Sequence, residues 1–141
     1  MGFFGRKRKK LAVLITCADW RLHQRKVNLN ARLAKQFRVD GFDYITVPGP
    51  DGLILPERGP EWAATLVQVK LLVNVHAPVA LIVAGHQRCA GNPLADEAHI
   101  VAVEETASEL KAAVGFSGPV HAVVLEYRSD KAWEIRPVAQ Y

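Results

Sequence analysis

A chain of 141 residues, half of them hydrophobic and 23% charged, is sized for one hydrophobic core and composed like a globular protein. No stretch approaches the roughly 20 unbroken apolar residues of a membrane span. The apolar segment behind the basic run Arg6-Lys7-Arg8-Lys9-Lys10 is short and has no cleavage pattern after it, which argues against a secretory signal and predicts a cytoplasmic chain. The formal net charge of +4 sits in that run: without its five positive charges the rest of the chain sums to −1. Residues 1–10 therefore read as a basic tail, solvated in the plainest reading, and residues 11–141 as a single α/β domain. Only Phe3 and Phe4 accompany the basic run, so recognition of nucleic acid is poorly supported.

In chain order, Leu11 to Thr16 is a short continuous apolar run, the pattern of a strand buried on both faces. Leu22 to Phe37 carries apolar residues at loosely helical spacing and predicts a helix. Phe42 to Val47 predicts the second strand, ended by Pro48-Gly49-Pro50-Asp51-Gly52. A helix then starts at Pro60, with Glu61 in its first turn and Trp62, Leu66, Val69, Leu72 and Val73 as its buried stripe. It ends at His76-Ala77-Pro78, because proline cannot continue the ladder. Val79 to Ala84 predicts a third buried strand, followed by a loop to about Asp96 and a helix from Glu97 to Val114 that stops at Gly115. Val120 to Tyr127 and Ala132 to Val138 read as strands joined by a turn at Ser129-Asp130. Strands alternating with helices predict an α/β fold, a mainly parallel central sheet flanked by helices. Ligands of such sheets lie beyond the carboxyl ends of the strands.

The chemistry-bearing residues fall at those ends. Cys17-Ala18-Asp19-Trp20-Arg21 closes the first strand with a thiol, a carboxylate and a guanidinium at alternate positions. His86-Gln87-Arg88-Cys89 follows the third strand with an imidazole and a thiol three residues apart. In a reducing compartment two cysteines in polar clusters suit a metal better than a disulfide. Two thiolates and one imidazole suit zinc, and three protein ligands leave the fourth position open. The plainer alternatives are buried thiols at strand ends with an unrelated loop histidine, and Asp19 as a helix cap.

The pair of motifs, with the strand before each and the strand–helix unit between them, resembles the Cys-x-Asp-x-Arg and Gly-His-x-x-Cys pair of β-class carbonic anhydrases. The resemblance runs from about Leu11 to Val138. It implies a β-carbonic-anhydrase-like fold and reversible hydration of carbon dioxide to bicarbonate by a zinc-bound hydroxide. Cys17, His86 and Cys89 would hold Zn2+, Asp19 would orient the reacting water and Arg21 would hold Asp19. Released from Arg21, Asp19 could instead become a fourth ligand and close the site. The resemblance also implies a homodimer or higher homo-oligomer, for which the end strand near Trp133 to Val138 is a candidate contact.

The chain departs from the family pattern in three places. Pro48-Gly49-Pro50-Asp51-Gly52 stands where an Arg-Asn-Ala-Gly type segment is usual, Ala90 precedes Gly91 after Cys89, and about ten residues precede the first strand in place of a helical arm. Related readings of the same residues are a zinc hydrolase of carbonyl sulfide or carbon disulfide, and a non-catalytic zinc protein. His23 and His99 are candidate proton shuttles, whereas His76 and His121 read as structural. Gly49, Asp51 and Gly52 either line the pocket or only make the turn. Trp20 and Trp62 read as core or interface residues rather than substrate platforms.

Overall fold

A computed structural model describes residues 5–141. The first four positions of the 1–10 tail, Phe3 and Phe4 among them, lie outside the described residues. Five strands form one sheet: β1 (Leu11–Cys17), β2 (Gly41–Val47), β3 (Ala80–His86), β4 (Val120–Ser129) and β5 (Ala132–Gln140). Their spatial order is β2-β1-β3-β4-β5. The first four run parallel and β5 returns antiparallel to β4. Three helices cover the sheet: α1 (Leu29–Phe37), α2 (Gly59–His76) and α3 (Ala98–Val114). No helix among the described residues is long and apolar enough to cross a membrane.

The unbroken apolar runs of β1 and β3 are explained by cover on both faces. Ala12 and Leu14 of β1 join Ile82 and Ala84 of β3 in a core closed by Leu29 and Leu33 of α1. Val13 and Ile15 turn to the other face, where Val69 of α2 and Val103, Ala107 and Leu110 of α3 seal them. Successive side chains of one strand thus feed two different cores, as the two-residue period of a strand requires. The α2 stripe read from the sequence packs inward, and Trp62 lies half-buried against this second core.

The last two strands run two residues beyond the ends read from the sequence, which takes Ser129 into β4, and two boundaries nearer the cluster differ as well. The helix expected from Leu22 to Phe37 is interrupted. Trp20–His23 forms a 3-10 turn capped by Asp19, and α1 starts only at Leu29. Asn28 stands between them in the left-handed region (φ 53°), a conformation that asparagine tolerates and that no α-helix can contain. Leu22 and Val27 are buried nonetheless, which is why their spacing imitated a helical stripe. The third strand extends to His86, so His86 closes a strand rather than opening a loop.

β5 is an edge strand, as expected of the chain's last strand, but it does not offer an apolar contact surface. Trp133 is buried, and Glu134, Arg136 and Pro137 face outward, a guarded edge. Exposed apolar surface lies instead on α2, where Val67, Leu71 and Val75 recur every fourth residue.

Candidate metal centre

Parallel pairing of β1 with β3 delivers Cys17 and His86 to the same edge of the sheet. The loop after β3 then doubles back. Arg88 adopts a left-handed backbone (φ 57°), and Cys89 returns over the strand ends. The sulfurs of Cys17 and Cys89 stand 3.9 Å apart, both thiols are free, and with one ring nitrogen of His86 the ligand atoms lie within 4.8 Å of one another. All three residues are buried.

His86 is prepared for a metal by its second nitrogen. Nδ1 donates to the Gln87 carbonyl at 2.7 Å, which fixes the tautomer and leaves the Nε2 lone pair free. That Nε2 is buried with no hydrogen-bond partner. A buried imidazole nitrogen without a partner is costly, and a metal ion facing both thiols would satisfy it. The donor set fits zinc on this observation and on its chemistry.

Around the thiols the backbone supplies donors. The Gly49 N–H points at Cys17 Sγ (3.4 Å), and the amides of Gly91 and Asn92 favour a thiolate at Cys89. The two thiols share one negative charge. The hydrogen bond from Cys89, with help from His86 and the Gly49 and Asp19 amides, draws Cys17 down to about 4, and the same contact pushes Cys89 upward. Burial opposes protonation of His86, but the Cys17 sulfur, the Gln87 carbonyl and Asp19 together raise its pKa. A dication bound here would displace the protons that the thiols share.

Asp19 stands beside the cluster and is held away from it. Arg21 grips its carboxylate with Nη2 to Oδ2 at 2.7 Å and Nε to Oδ1 at 3.1 Å, while the Arg21 N–H donates to Oδ1 at 2.9 Å. Oδ2 remains 3.9 Å from His86 Nε2. The Arg21 guanidinium holds the Asp19 carboxyl below the usual carboxylate range, so it is an acceptor at neutral pH. Arg21 is itself anchored by residues that the sequence did not mark as part of the site. Its Nη2 donates to the Arg88 carbonyl (2.8 Å), Asp130 lies at 3.4 Å, and the guanidinium sits over the rings of Trp133 and Tyr127 at 5.5 and 5.8 Å. The β4–β5 hairpin is therefore the wall against which Arg21 rests. Trp133 also meets His86 edge to face.

The loop after β2 makes the floor. Gly49 is left-handed (φ 52°), and a Cβ there would lie 2.6 Å from the Gly91 carbonyl carbon, so the loops after β2 and β3 cross where only glycine fits. Asp51 is buried and pins that crossing. Its carboxylate accepts from Asn92 Nδ2 at 3.0 Å and His99 Nδ1 at 2.6 Å, and its carbonyl accepts from Thr106 Oγ1 at 3.0 Å. Asp51 thus does not line the pocket, and His99, fully buried against it, has no route to solvent as a shuttle. His23 is exposed, with Nε2 2.7 Å from the Cys17 carbonyl oxygen. His76 pairs with Asp43 and His121 stacks on Phe37, in line with structural parts.

An open cleft of about 510 Å³ leads to Cys17 and is lined by Ala18, Asp19, Trp20, Arg21, Pro48, Ala90 and Gly91 as well. Trp20 is 67% exposed at its mouth, so it is no core residue.

A family model described as "Putative carbonic anhydrase" matches residues 7–139. Among solved structures the fold is similar to a carbonic anhydrase from Streptococcus mutans, with a TM-score of 0.59 at 14% identity over 94% of this chain and 82% of that one. No curated protein sequence matches the chain. With nearly its whole length matched, the chain belongs to the putative carbonic anhydrase family.

Proposed function

We propose that the protein catalyses reversible hydration of carbon dioxide to bicarbonate, with Cys17, His86 and Cys89 holding a zinc ion. The observation that carries this reading is Asp19: an ionised carboxylate next to a three-ligand cluster, restrained by Arg21 from becoming a fourth ligand. Zinc in such a cluster supplies a hydroxide nucleophile near neutral pH. Asp19 accepts a hydrogen bond from the reacting water and orients its lone pair towards the cleft. Arg21 keeps that carboxylate in place, and the Trp133–Tyr127 wall keeps Arg21 in place. Buried Cys17, His86 and Cys89 exclude bulk solvent from below, while the cleft beside Trp20 admits a small linear substrate from above.

The reading assigns residues 11–141 to one zinc-binding domain with 1–10 as a basic tail. Two free thiols as ligands fit the reducing cytoplasm. A homodimer is part of it as well, because the outward stripe Val67-Leu71-Val75 on α2 is an apolar surface in want of cover. Light scattering on the zinc-loaded protein is expected to give twice the chain mass, falling to one chain mass in Leu71→Asp. A wild-type monomer at micromolar concentration would refute the dimer.

Stopped-flow hydration on protein of known zinc content tests the reaction. Activity is expected at neutral and at alkaline pH, since Arg21 already holds Asp19 in the open arrangement, and Asp19→Ala should lose about a hundredfold or more. One zinc per chain without hydration at either pH would refute the reaction and leave the carbonyl sulfide, carbon disulfide and non-catalytic readings.

Asp51 gives a second test. Asp51→Ala orphans the Asn92 and His99 donors and is expected to cost roughly 2–5 kcal/mol in urea unfolding. Because Asn92 and Gly91 point their amides at Cys89, zinc affinity measured by chelator competition should fall about tenfold to a hundredfold. Unchanged zinc affinity would show that the crossing of the two loops does not position the ligands.

A further inference from the structure

The near-neutral sum of residues 11–141 hides a strong segregation of charge. Eleven of the 18 lysines and arginines fall within the first 38 positions, where Asp19 is the only acidic residue. The remaining 103 positions hold seven basic and 13 acidic residues. Asp19 is consumed by Arg21, so it does not offset the others.

The fold gathers much of this charge on one surface. A groove of about 360 Å³ is lined by Lys7, Arg8, Lys9, Lys10, Arg38 and Asp40. A second, of about 650 Å³, runs along α1 between Arg32, Lys35, Gln36, Arg38, Glu134 and Ile135. Arg38 is common to both, so the two grooves are one continuous face with seven cations and two carboxylates. Among the described residues none of the seven cationic side chains forms an ion pair. Arg8 instead donates to the His76 carbonyl at the end of α2 (3.4 Å), and the Lys10 amide to Asp40 (2.7 Å). These contacts lay the described part of the tail along the amino edge of the sheet. The metal centre is at the carboxyl edge, so a partner covering the basic face leaves the cleft beside Trp20 open.

Like charges gathered without counter-ions repel one another and weaken the fold, and an anionic partner relieves that repulsion. We propose that this face docks the protein on an anionic phospholipid surface. Four to eight Lys or Arg in such a cluster are the usual footprint of acidic headgroups. Nucleic acid is the less fitting polyanion, because among the described residues no aromatic side chain lines either groove to stack on a base.

Co-sedimentation of the zinc-loaded full chain with two vesicle types tests the proposal: phosphatidylcholine alone, and phosphatidylcholine mixed with phosphatidylserine. Binding is expected only to the mixed vesicles, and release at about 1 M salt, where screening acts within about 3 Å. Each cation near the surface is worth about a fivefold change in affinity. Lys35→Gln/Arg38→Gln, on the folded face, should therefore bind more than about tenfold more weakly, and Lys7→Gln/Arg8→Gln/Lys9→Gln/Lys10→Gln more than about a hundredfold. Zinc content should be the same in all variants. Failure to bind mixed vesicles, equal binding to both types, or tighter retention on an RNA homopolymer at the same salt overturns the proposal. So does wild-type binding by Lys35→Gln/Arg38→Gln, which would confine the contact to the tail. None of these outcomes depends on the hydration reaction.

Discussion

Parallel pairing of β1 with β3 is the constraint from which the Cys17–His86–Cys89 cluster follows. Cys17 and Cys89 are 72 residues apart in the chain, yet their sulfurs nearly touch. The register sets Ile15 beside Val83, so two or three residues later both strands stop at the same edge, one on a thiol and the other on an imidazole. β2 lies on the far side of β1, so the chain reverses its direction of travel across the sheet between β1 and β3. At such a switch point the loops leave towards opposite faces and a crevice opens between them. The continuous apolar runs that make these strands insoluble on either face are what hold the crevice in register.

The crevice has to be held from two sides, and different chemistry does each. On one side a buried carboxylate, Asp51, gathers Asn92 and His99 and locks the loop after β2 to the loop after β3. On the other, aromatic rings and a peptide carbonyl hold Arg21, which in turn holds Asp19. A cluster of two thiols and an imidazole could otherwise collapse into a closed tetrahedral site by recruiting the nearby carboxylate. The cage around Arg21 holds Asp19 off the three donor atoms, and in the proposed reading that leaves a fourth position open, the feature that separates a catalytic zinc from a structural one.

Sequence patterning gave away the strands and the three clustered candidate ligands because their signals are local: continuous apolar runs, and donor residues at strand ends. The Asp19–Arg21 pair was legible for the same reason, two residues apart. The supports were not. Asp51 is more than forty residues from Asn92 and His99 in the chain, and the crossing of Gly49 over Gly91 brings it to them. Seen this way, the departures from the family pattern are matched to one another: the glycine–proline segment after β2 and the displaced glycine after Cys89 are two halves of one contact. Trp133 and Tyr127 come from a hairpin whose alternation said only that it was a strand. The late start of α1 was hidden because Leu22 and Val27 are buried for reasons unrelated to a helix, and Asn28 acts as the breaker through its backbone angle rather than its spacing.

The central claim is a three-ligand centre of two sulfurs and one imidazole with Asp19 held off by Arg21. X-ray absorption at the zinc edge of the loaded protein at neutral pH measures that shell directly. The expected shell is two sulfurs, one imidazole nitrogen and one light atom that azide or another small anion replaces, with one sulfur lost in Cys17→Ser. A shell without sulfur, or a fourth ligand that no anion displaces and that vanishes in Asp19→Ala, would contradict it.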